Sequence, residues 1–454
     1  MNQNTKAARF SQQWRKFASL GFLAIVVALI FTIWYTTTLD LLMSGASGAL
    51  IGLGRLAGLI AAGSALLQFM LMGRIGWIEG GFGLDNIAKL HRKNGYVVII
   101  SIYIHILLVT FGYALGSMVG FVSQYVTFFN TFQDVWKAMV AAGLFTAVVG
   151  TSIYIVRKNL KFERWYMVHL LVYAAIILAF SHQLAVGGSF TASPIYSKIW
   201  TGLYLFVAAN VMYYRFLSIV INYIRFGFKI ERVEIETDGI TSIYISGKNL
   251  QKLNAKPGQF TIIRILARKY WLQEHPFSLS KVTTNNHMRI TVKNSGDYTE
   301  MIQSLKPGSK VMVAGPFGTF TSAKAISQKR LYLAGGIGIT PLRSLIEEGV
   351  TKNDDAVLVW SNKTAIDEIY REELALFEAE SKLRIIRFFT REKKAGFQSG
   401  RITADIISQL IPDVKERSIY ICGPGKFIIE LEKDLLQGGL SAEQIHTEKF
   451  SLTN

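Results

Sequence analysis

Six apolar runs, at approximately 17–36, 48–73, 91–114, 136–156, 165–185 and 198–221, fill the first half of this 454-residue sequence. Each is near or above the roughly 20 residues that a helix needs to cross a hydrocarbon core of roughly 30 Å. The connections alternate in charge. Residues 74–93 carry Arg74, Lys89, Arg92 and Lys93, and residues 157–164 carry Arg157, Lys158, Lys161 and Arg164; 37–47, 115–135 and 183–197 carry no Lys or Arg. The positive-inside tendency then puts both termini on the cytoplasmic side of a cell membrane. Lys6, Arg9, Arg15 and Lys16 precede the first run, which is longer than a signal-peptide core and has no clear small-residue cleavage site, so it reads as a retained span.

Composition narrows the partners. The net charge of +18 is spread along the chain and much of it flanks apolar runs, so membrane topology accounts for it and nucleic acid is not expected. Cys422 is the single cysteine, which excludes an internal disulfide and an iron–sulfur cluster held by four thiolates. Electron carriers, if present, must be held in other ways. Between the second and third runs, residues 74–90 mix Trp77, Ile78, Phe82, Leu84 and Ile87 with charges, the pattern of either an amphipathic segment at the inner surface or an ordinary loop.

After Arg225 the apolar runs shorten. Short β-rich pieces separated by Gly, Pro, Asn and Asp turns predict a small antiparallel barrel over 227–325. From 326 to 454 strand-like and helical patterns alternate, which predicts an α/β domain with a parallel sheet covered on both faces. The expected architecture is therefore a six-helix transmembrane bundle over 1–226 followed by these two cytosolic domains.

Four histidines stand in the apolar runs. His91 and His105 are 14 residues apart in the third, and His169 and His182 are 13 apart in the fifth. At about 1.5 Å per residue each pair is separated by roughly 20 Å, and topology puts His91 and His169 at the inner level and His105 and His182 at the outer. Each is either a polar core residue or a ligand; a His from each of two helices fills both axial positions of a haem iron. The spacing of 14 returns to within roughly 40° of the same face, whereas 13 leaves roughly 140°. The fifth helix must therefore be distorted or approach from a corner. Arg55, near the outer end of the second run, is a snorkelling side chain or a partner for a haem propionate or an acceptor.

The soluble half offers further candidates. In the barrel, Phe277 suits the face of an aromatic ring and Ser278 its polar edge, within His275-Pro276-Phe277-Ser278 before a turn and a strand. Lys293, Gly296, Asp297 and Thr299 follow, Gly296 and Thr299 suiting the approach of a pyrophosphate. Gly335, Gly336, Gly338, Thr340 and Pro341 lie where a strand opens into a helix, a place that attracts phosphate. Cys422-Gly423-Pro424 ends the last of the expected strands, where open parallel sheets hold ligands; Cys422 is either a nicotinamide contact or a buried small residue. Lys363, Arg391 and Lys394 follow two other strands, within reach of a 2′-phosphate.

In this order HPFSLS, VKNSGDYT, GPFG, GGIGITP and CGP resemble the ferredoxin–NADP reductase superfamily, and with six spans and paired histidines the whole resembles prokaryotic NADPH oxidases and ferric reductase-like transmembrane proteins. The resemblance implies two b-type haems on His91/His169 and His105/His182, FAD at His275–Ser278 and Lys293–Thr299, and NADPH at Gly335–Pro341 and Cys422–Pro424. It implies electron flow from cytosolic NADPH through FAD and both haems to O₂ outside, giving superoxide, with no regulatory subunit required. Two departures stand out. Val109 occupies the place of a polar companion near the outer haem, and Phe450, the counterpart of a terminal flavin-stacking aromatic, is followed by four more residues. A ferric-chelate reductase of the same architecture and a membrane electron carrier serving a partner protein or quinone are the alternatives.

Overall fold

The computed structural model describes residues 3–153, 159, 160, 162–267, 270, 273–284, 286–393 and 396–449. Among them six helices are long and apolar enough to cross a membrane. They are α1 (Gln3–Met43), α2 (Ala46–Met72), α3 (Leu84–Gly116), α4 (Val135–Ser152), α5 (Phe162–Val186) and α6 (Pro194–Val211), the last running through a π-helical turn at Met212–Leu217 into Ser218–Phe226. α2 is the most enclosed, because Gly48, Gly52, Gly54, Ala57, Ala61 and Ala65 line its buried side and let neighbouring helices approach. Polar side chains add cross-links. Asn94 Nδ2 donates to Ser64 O at 2.8 Å between α3 and α2, and Trp200 Nε1 donates to Gln183 Oε1 at 2.8 Å between α6 and α5.

Residues 74–90 are neither one amphipathic helix nor a loop. A short helix, Gly76–Phe82, breaks at Gly83, whose φ of 77° is left-handed, and α3 starts at Leu84, seven residues before His91. By packing, residues 17–78 and 86–215 form one compact unit, and residues 79–85 group with the N-terminal part of α1 and the chain from Phe216 onward.

In that second unit, β1 (Lys229–Thr237), β2 (Ile240–Ser246), β3 (Phe260–Ile265), β4 (His275–Thr284), β5 (His287–Lys293) and β6 (Val311–Phe317) form an antiparallel sheet in the order β1-β2-β5-β4-β3-β6. A bridge between Lys229 and Lys310 joins its two edges and closes the expected barrel. The HPFSLS segment does stand before a turn and a strand, β5, but it is itself the first half of a strand: β4 pairs with β3 through His275–Ser278, while its second half pairs with β5. Pro276, which reads as a strand breaker, is tolerated near the strand start. A short helix α7 (Asp297–Gln303) follows β5.

The remaining strands, β7 (Lys329–Gly335), β8 (Asp355–Asn362), β9 (Leu383–Phe389), β10 (Gln398–Ser399), β11 (Ser418–Gly423) and β12 (Ile445–Lys449), form a parallel sheet in the order β10-β9-β8-β7-β11-β12. Helices α8 (Ile339–Thr351), α9 (Arg371–Glu380), α10 (Ala404–Leu410) and α11 (Gly425–Gln437) connect the strands. Separate apolar cores form on its two faces, one around Trp360, Leu342 and Tyr420 and one around Val359, Ile421 and Leu435. Strand order reverses between β7 and β11, the position at which such sheets bind dinucleotides. The helical pattern over AIDEIYREELALFEAE is interrupted at Tyr370, with φ of 58°, so that α9 begins only at Arg371.

Candidate functional site

α3 and α5 are α-helical without a break between their histidines, so no bulge corrects the 13-residue phase on α5; the helix meets its partners from a corner. His91 and His169 bring their ring centres to 6.3 Å, at 54°. Two metal–imidazole bonds of about 2 Å, with about 1 Å from each nitrogen to its ring centre, span roughly 6 Å. Trp165 lies 4.9 Å from the His169 ring and donates from Nε1 to Ser152 Oγ at 3.2 Å, which itself lies 3.4 Å from His169 Nδ1.

At the other level His105 and His182 line one cavity of about 240 Å³ together with Arg55, the one formally charged side chain among its described lining residues. Its walls are mostly apolar, and Tyr125 and Phe128 reach it from a helix at Phe121–Thr131. His105 Nδ1 is 2.8 Å from the carbonyl of Gly54, an acceptor only, so Nδ1 carries the proton and Nε2 keeps its lone pair, the tautomer that a metal needs. Gly58 accommodates this ring: a Cβ there would stand 2.8 Å from His105 Nδ1. The Arg55 guanidinium packs against Gly188. His91 Nδ1 and His182 Nδ1 are buried without a hydrogen bond of ordinary geometry among the described residues. No group of three or more His, Cys, Asp or Glu side chains gathers among those residues either. Two imidazoles and no third protein ligand suit a macrocycle that brings its own equatorial nitrogens, so the donor set fits haem at both levels.

In the barrel, Ser278 is buried, Phe277 half-buried and Pro276 exposed. Thr261 stands opposite Phe277 in register and buries its hydroxyl without a partner among the described residues, which fits a ligand such as FAD. His275 stacks on Tyr298 at 3.8 Å, and burial lowers its pKa. Lys293, Gly296 and Asp297 are exposed and Thr299 half-buried around the start of α7, where the Thr299 hydroxyl accepts from Ser295 N and donates to Gly296 O, both at 2.7 Å.

On the parallel sheet, the glycine loop after β7 presses onto the turn after β11. A Cβ at Gly338 would run into the Cys422 carbonyl, and Gly336 needs its φ of +52° to make the turn. The Thr340 hydroxyl donates back to Ile337 O at 3.0 Å, and Pro341 is buried at the start of α8. Cys422 is fully buried, and burial with the nearby Glu448 charge pushes its thiol well up, so it is a protonated core side chain. Lys363 and Arg391 are both exposed and are held side by side by a hydrogen bond from Arg391 N to Lys363 O at 2.9 Å. Beside them Asn362 is buried, and neither its amide nitrogen nor its amide oxygen has a partner among the described residues, which fits a dinucleotide at this edge.

Residues 57–180 match the ferric reductase like transmembrane component, 225–326 an FAD-binding domain and 332–433 the oxidoreductase NAD-binding domain. The chain thus carries a ferric reductase-like transmembrane domain followed by FAD-binding and NAD-binding oxidoreductase domains. The chain is 26% identical over 234 residues to a flavohemoprotein of Bacillus subtilis, covering 49% of this chain and 58% of that protein. It is 28% identical over 229 residues to an NADPH oxidoreductase of Mycobacterium tuberculosis, covering 49% of this chain and 59% of that one. The matches thus span little more than half the length of those relatives. A flavohemoglobin structure from Malassezia yamatoensis aligns with a TM-score of 0.48 and 20% identity over 92% of this chain and 99% of that one.

Within the ferric reductase-like domain, all four histidines and Arg55 fall in the matched stretch or within two residues of it. Val109 does line the outer cavity, but Thr110, Tyr113 and Gln183 supply polar groups there that linear reasoning missed. Thr261 and Asn362 were missed as well; Asn362 adjoins Lys363 and Thr261 pairs with Phe277 across β3 and β4, yet only the lack of a side-chain partner among the described residues singles them out. Phe450 and Lys394 lie outside the described residues.

Proposed function

We propose that this oxidoreductase is a transmembrane NADPH oxidase of the cell membrane, with both termini in the cytoplasm. One NADPH reduces two O₂ to two superoxide anions on the outer side and yields NADP⁺ and a proton. When bound, FAD accepts a hydride and gives up single electrons, and haem iron passes these on. His91 and His169 would hold the inner b-type haem and His105 and His182 the outer. With both imidazoles of the outer level committed to the group they would hold, the acceptor would be met by Arg55 and the apolar walls of the cavity. Phe277, Ser278 and Thr261 would hold FAD; Gly336, Asn362, Lys363 and Arg391 would hold NADPH, the last two facing its 2′-phosphate.

The observation that carries this reading is the outer cavity, with two imidazoles, apolar walls and one guanidinium. Apolar walls admit a small neutral molecule, and the Arg55 charge favours the anion it becomes. On this reading neither a regulatory subunit nor nucleic acid is needed, and lipid is the surrounding partner.

The test is a reduced-minus-oxidised spectrum of purified protein given NADPH and FAD, with and without oxygen and superoxide dismutase. The expected result is a b-haem spectrum under anaerobic conditions that oxygen reverses, with dye reduction abolished by the dismutase. Iron-chelate reduction insensitive to the dismutase would assign a ferric chelate instead. Turnover only after a protein or quinone is added would make the chain a carrier.

A further inference from the structure

An ionic network of two buried arginines on a partly exposed carboxylate ties the strand bearing the flavin motif to the helix bearing the nucleotide motif. Its centre is Glu373 on α9. Arg289 of β5 grips this carboxylate through both terminal nitrogens, Nη2 at 3.1 Å, and Arg343 of α8 does so through Nε at 2.8 Å and through Nη2. The two arginine side chains are 1% and 2% exposed. Both also reach Ser280 on β4: Arg289 Nε donates to its hydroxyl at 3.1 Å and Arg343 Nη1 to its carbonyl at 3.2 Å. Ser280 is two residues beyond Ser278, and Arg343 is two residues beyond Pro341. One residue further on, Ser344 accepts a hydrogen bond from Gly258 N at 2.9 Å, a second tie from α8 to the barrel.

Stability alone does not explain such a network. Desolvating two guanidinium groups is costly, and well-packed apolar residues of similar volume often serve a fold equally well. What two planar donor forks on one carboxylate add is fixed geometry. Hydride transfer is the step in this chain that depends on it, because the reacting atoms must approach to roughly 3–3.5 Å and a misplacement of about 1 Å costs on the order of 10²-fold in rate. The flavin is held by the barrel and the nicotinamide by the parallel sheet, so their separation is set where the two domains join.

We propose that Glu373, with Arg289 and Arg343, is the positioning element that fixes the approach of nicotinamide to flavin, and so governs the rate of hydride transfer and not the binding of either cofactor. This rests on the NAD(P)H/FAD oxidoreductase assignment and is independent of the final acceptor. Burial alone would raise the Glu373 carboxyl, but the Arg289 hydrogen bonds and the charges of both arginines outweigh it and hold the group ionised, as the network needs.

The test uses the full chain, purified with FAD, mixed anaerobically with NADPH while flavin bleaching is followed. Glu373→Gln should keep its FAD and its NADPH affinity, lose on the order of 10–100-fold in the limiting reduction rate, and show a larger isotope effect with NADPH deuterated at the transferred position. Glu373→Asp, which restores the charge, should recover part of the rate. Arg343→Lys, which keeps a charge but loses the fork, provides a second reading and should show a smaller fall of the same kind. A normal limiting rate in Glu373→Gln, a loss confined to NADPH affinity, or loss of bound FAD in both variants would overturn the proposal. Failure of the unaltered protein to reduce its flavin would overturn the dehydrogenase reading itself, and failure of reduced flavin to pass electrons to O₂ would touch only the acceptor.

Discussion

The outer cavity of the membrane unit and the ionic network of the C-terminal unit treat buried polar groups in opposite ways. Around the cavity they are few and mostly neutral: one guanidinium, two imidazoles and groups such as Thr110, Tyr113 and Gln183, with His182 Nδ1 lacking a hydrogen bond of ordinary geometry among the described residues. In the network every charged group is met at least twice, Arg289 and Arg343 sharing one carboxylate and one serine. A buried polar group left unmade costs about 1–3 kcal/mol. The first arrangement therefore marks a place kept for something the chain does not encode, and the second a geometry that the chain fixes for itself.

The strongest way to break this contrast is at the histidines. His105→Ala and His182→Ala should each lose the outer of the two haems and reduce acceptor turnover to background, while NADPH still bleaches the flavin. Unchanged haem content in both variants, measured by the pyridine haemochrome spectrum, would make these histidines ordinary core residues. Next comes Gly338→Ala, which forces a methyl group onto the Cys422 carbonyl. Overpacking of this kind costs about 1–3 kcal/mol. The expected outcome is early release of FAD on heating while the haem absorbance melts as before; joint melting of both signals would mean that the two units do not unfold separately.

Features that repeat along the chain were legible in advance; features that depend on a distant partner were not. The six spans, the four histidines and the alternation after residue 326 are contiguous patterns, and each appears as an element of the structure. β12 was missed because an edge strand reading Ile445-His446-Thr447-Glu448-Lys449 has no apolar run, and β4 because Pro276 stands in it. The glycine loop was read as a phosphate cradle, but the need for glycine at 338 comes from the Cys422 carbonyl, 84 residues away. Glu373 carries no signal in the sequence, where it is one of several neighbouring acids; only the fold delivers Arg289 and Arg343 to it. At the cavity, Arg55 and the histidines were visible in the sequence, whereas Tyr125 and Phe128 came from a connection that carried no span and no Lys or Arg.

A smaller effect separates nucleotide choice from nucleotide binding. Lys363 and Arg391 are exposed and adjacent, unlike the buried arginines of the network. Replacing both with Ala should raise the KM for NADPH about tenfold, equivalent to about 1.4 kcal/mol, and leave the KM for NADH and the limiting rate unchanged. Equal losses with both nucleotides would move these cations from phosphate recognition to structure.

The smallest expected effect is at Glu448, which stands opposite Cys422 in the β11–β12 register. Burial and the charges of Asp85 and Glu79 push its carboxyl up to about 8, and Lys324 pulls the other way. The folded state therefore holds this proton more tightly than the unfolded chain does. Its contribution to stability is complete below the ordinary carboxyl value of 4.5 and is lost as pH rises through about 8. Glu448→Gln keeps the shape of the protonated group without the titration. The variant should melt with the unaltered protein near about pH 5 and above it beyond about pH 8, with FAD release as the readout. A constant offset between the two at every pH would mean that Glu448 contributes packing and not a proton.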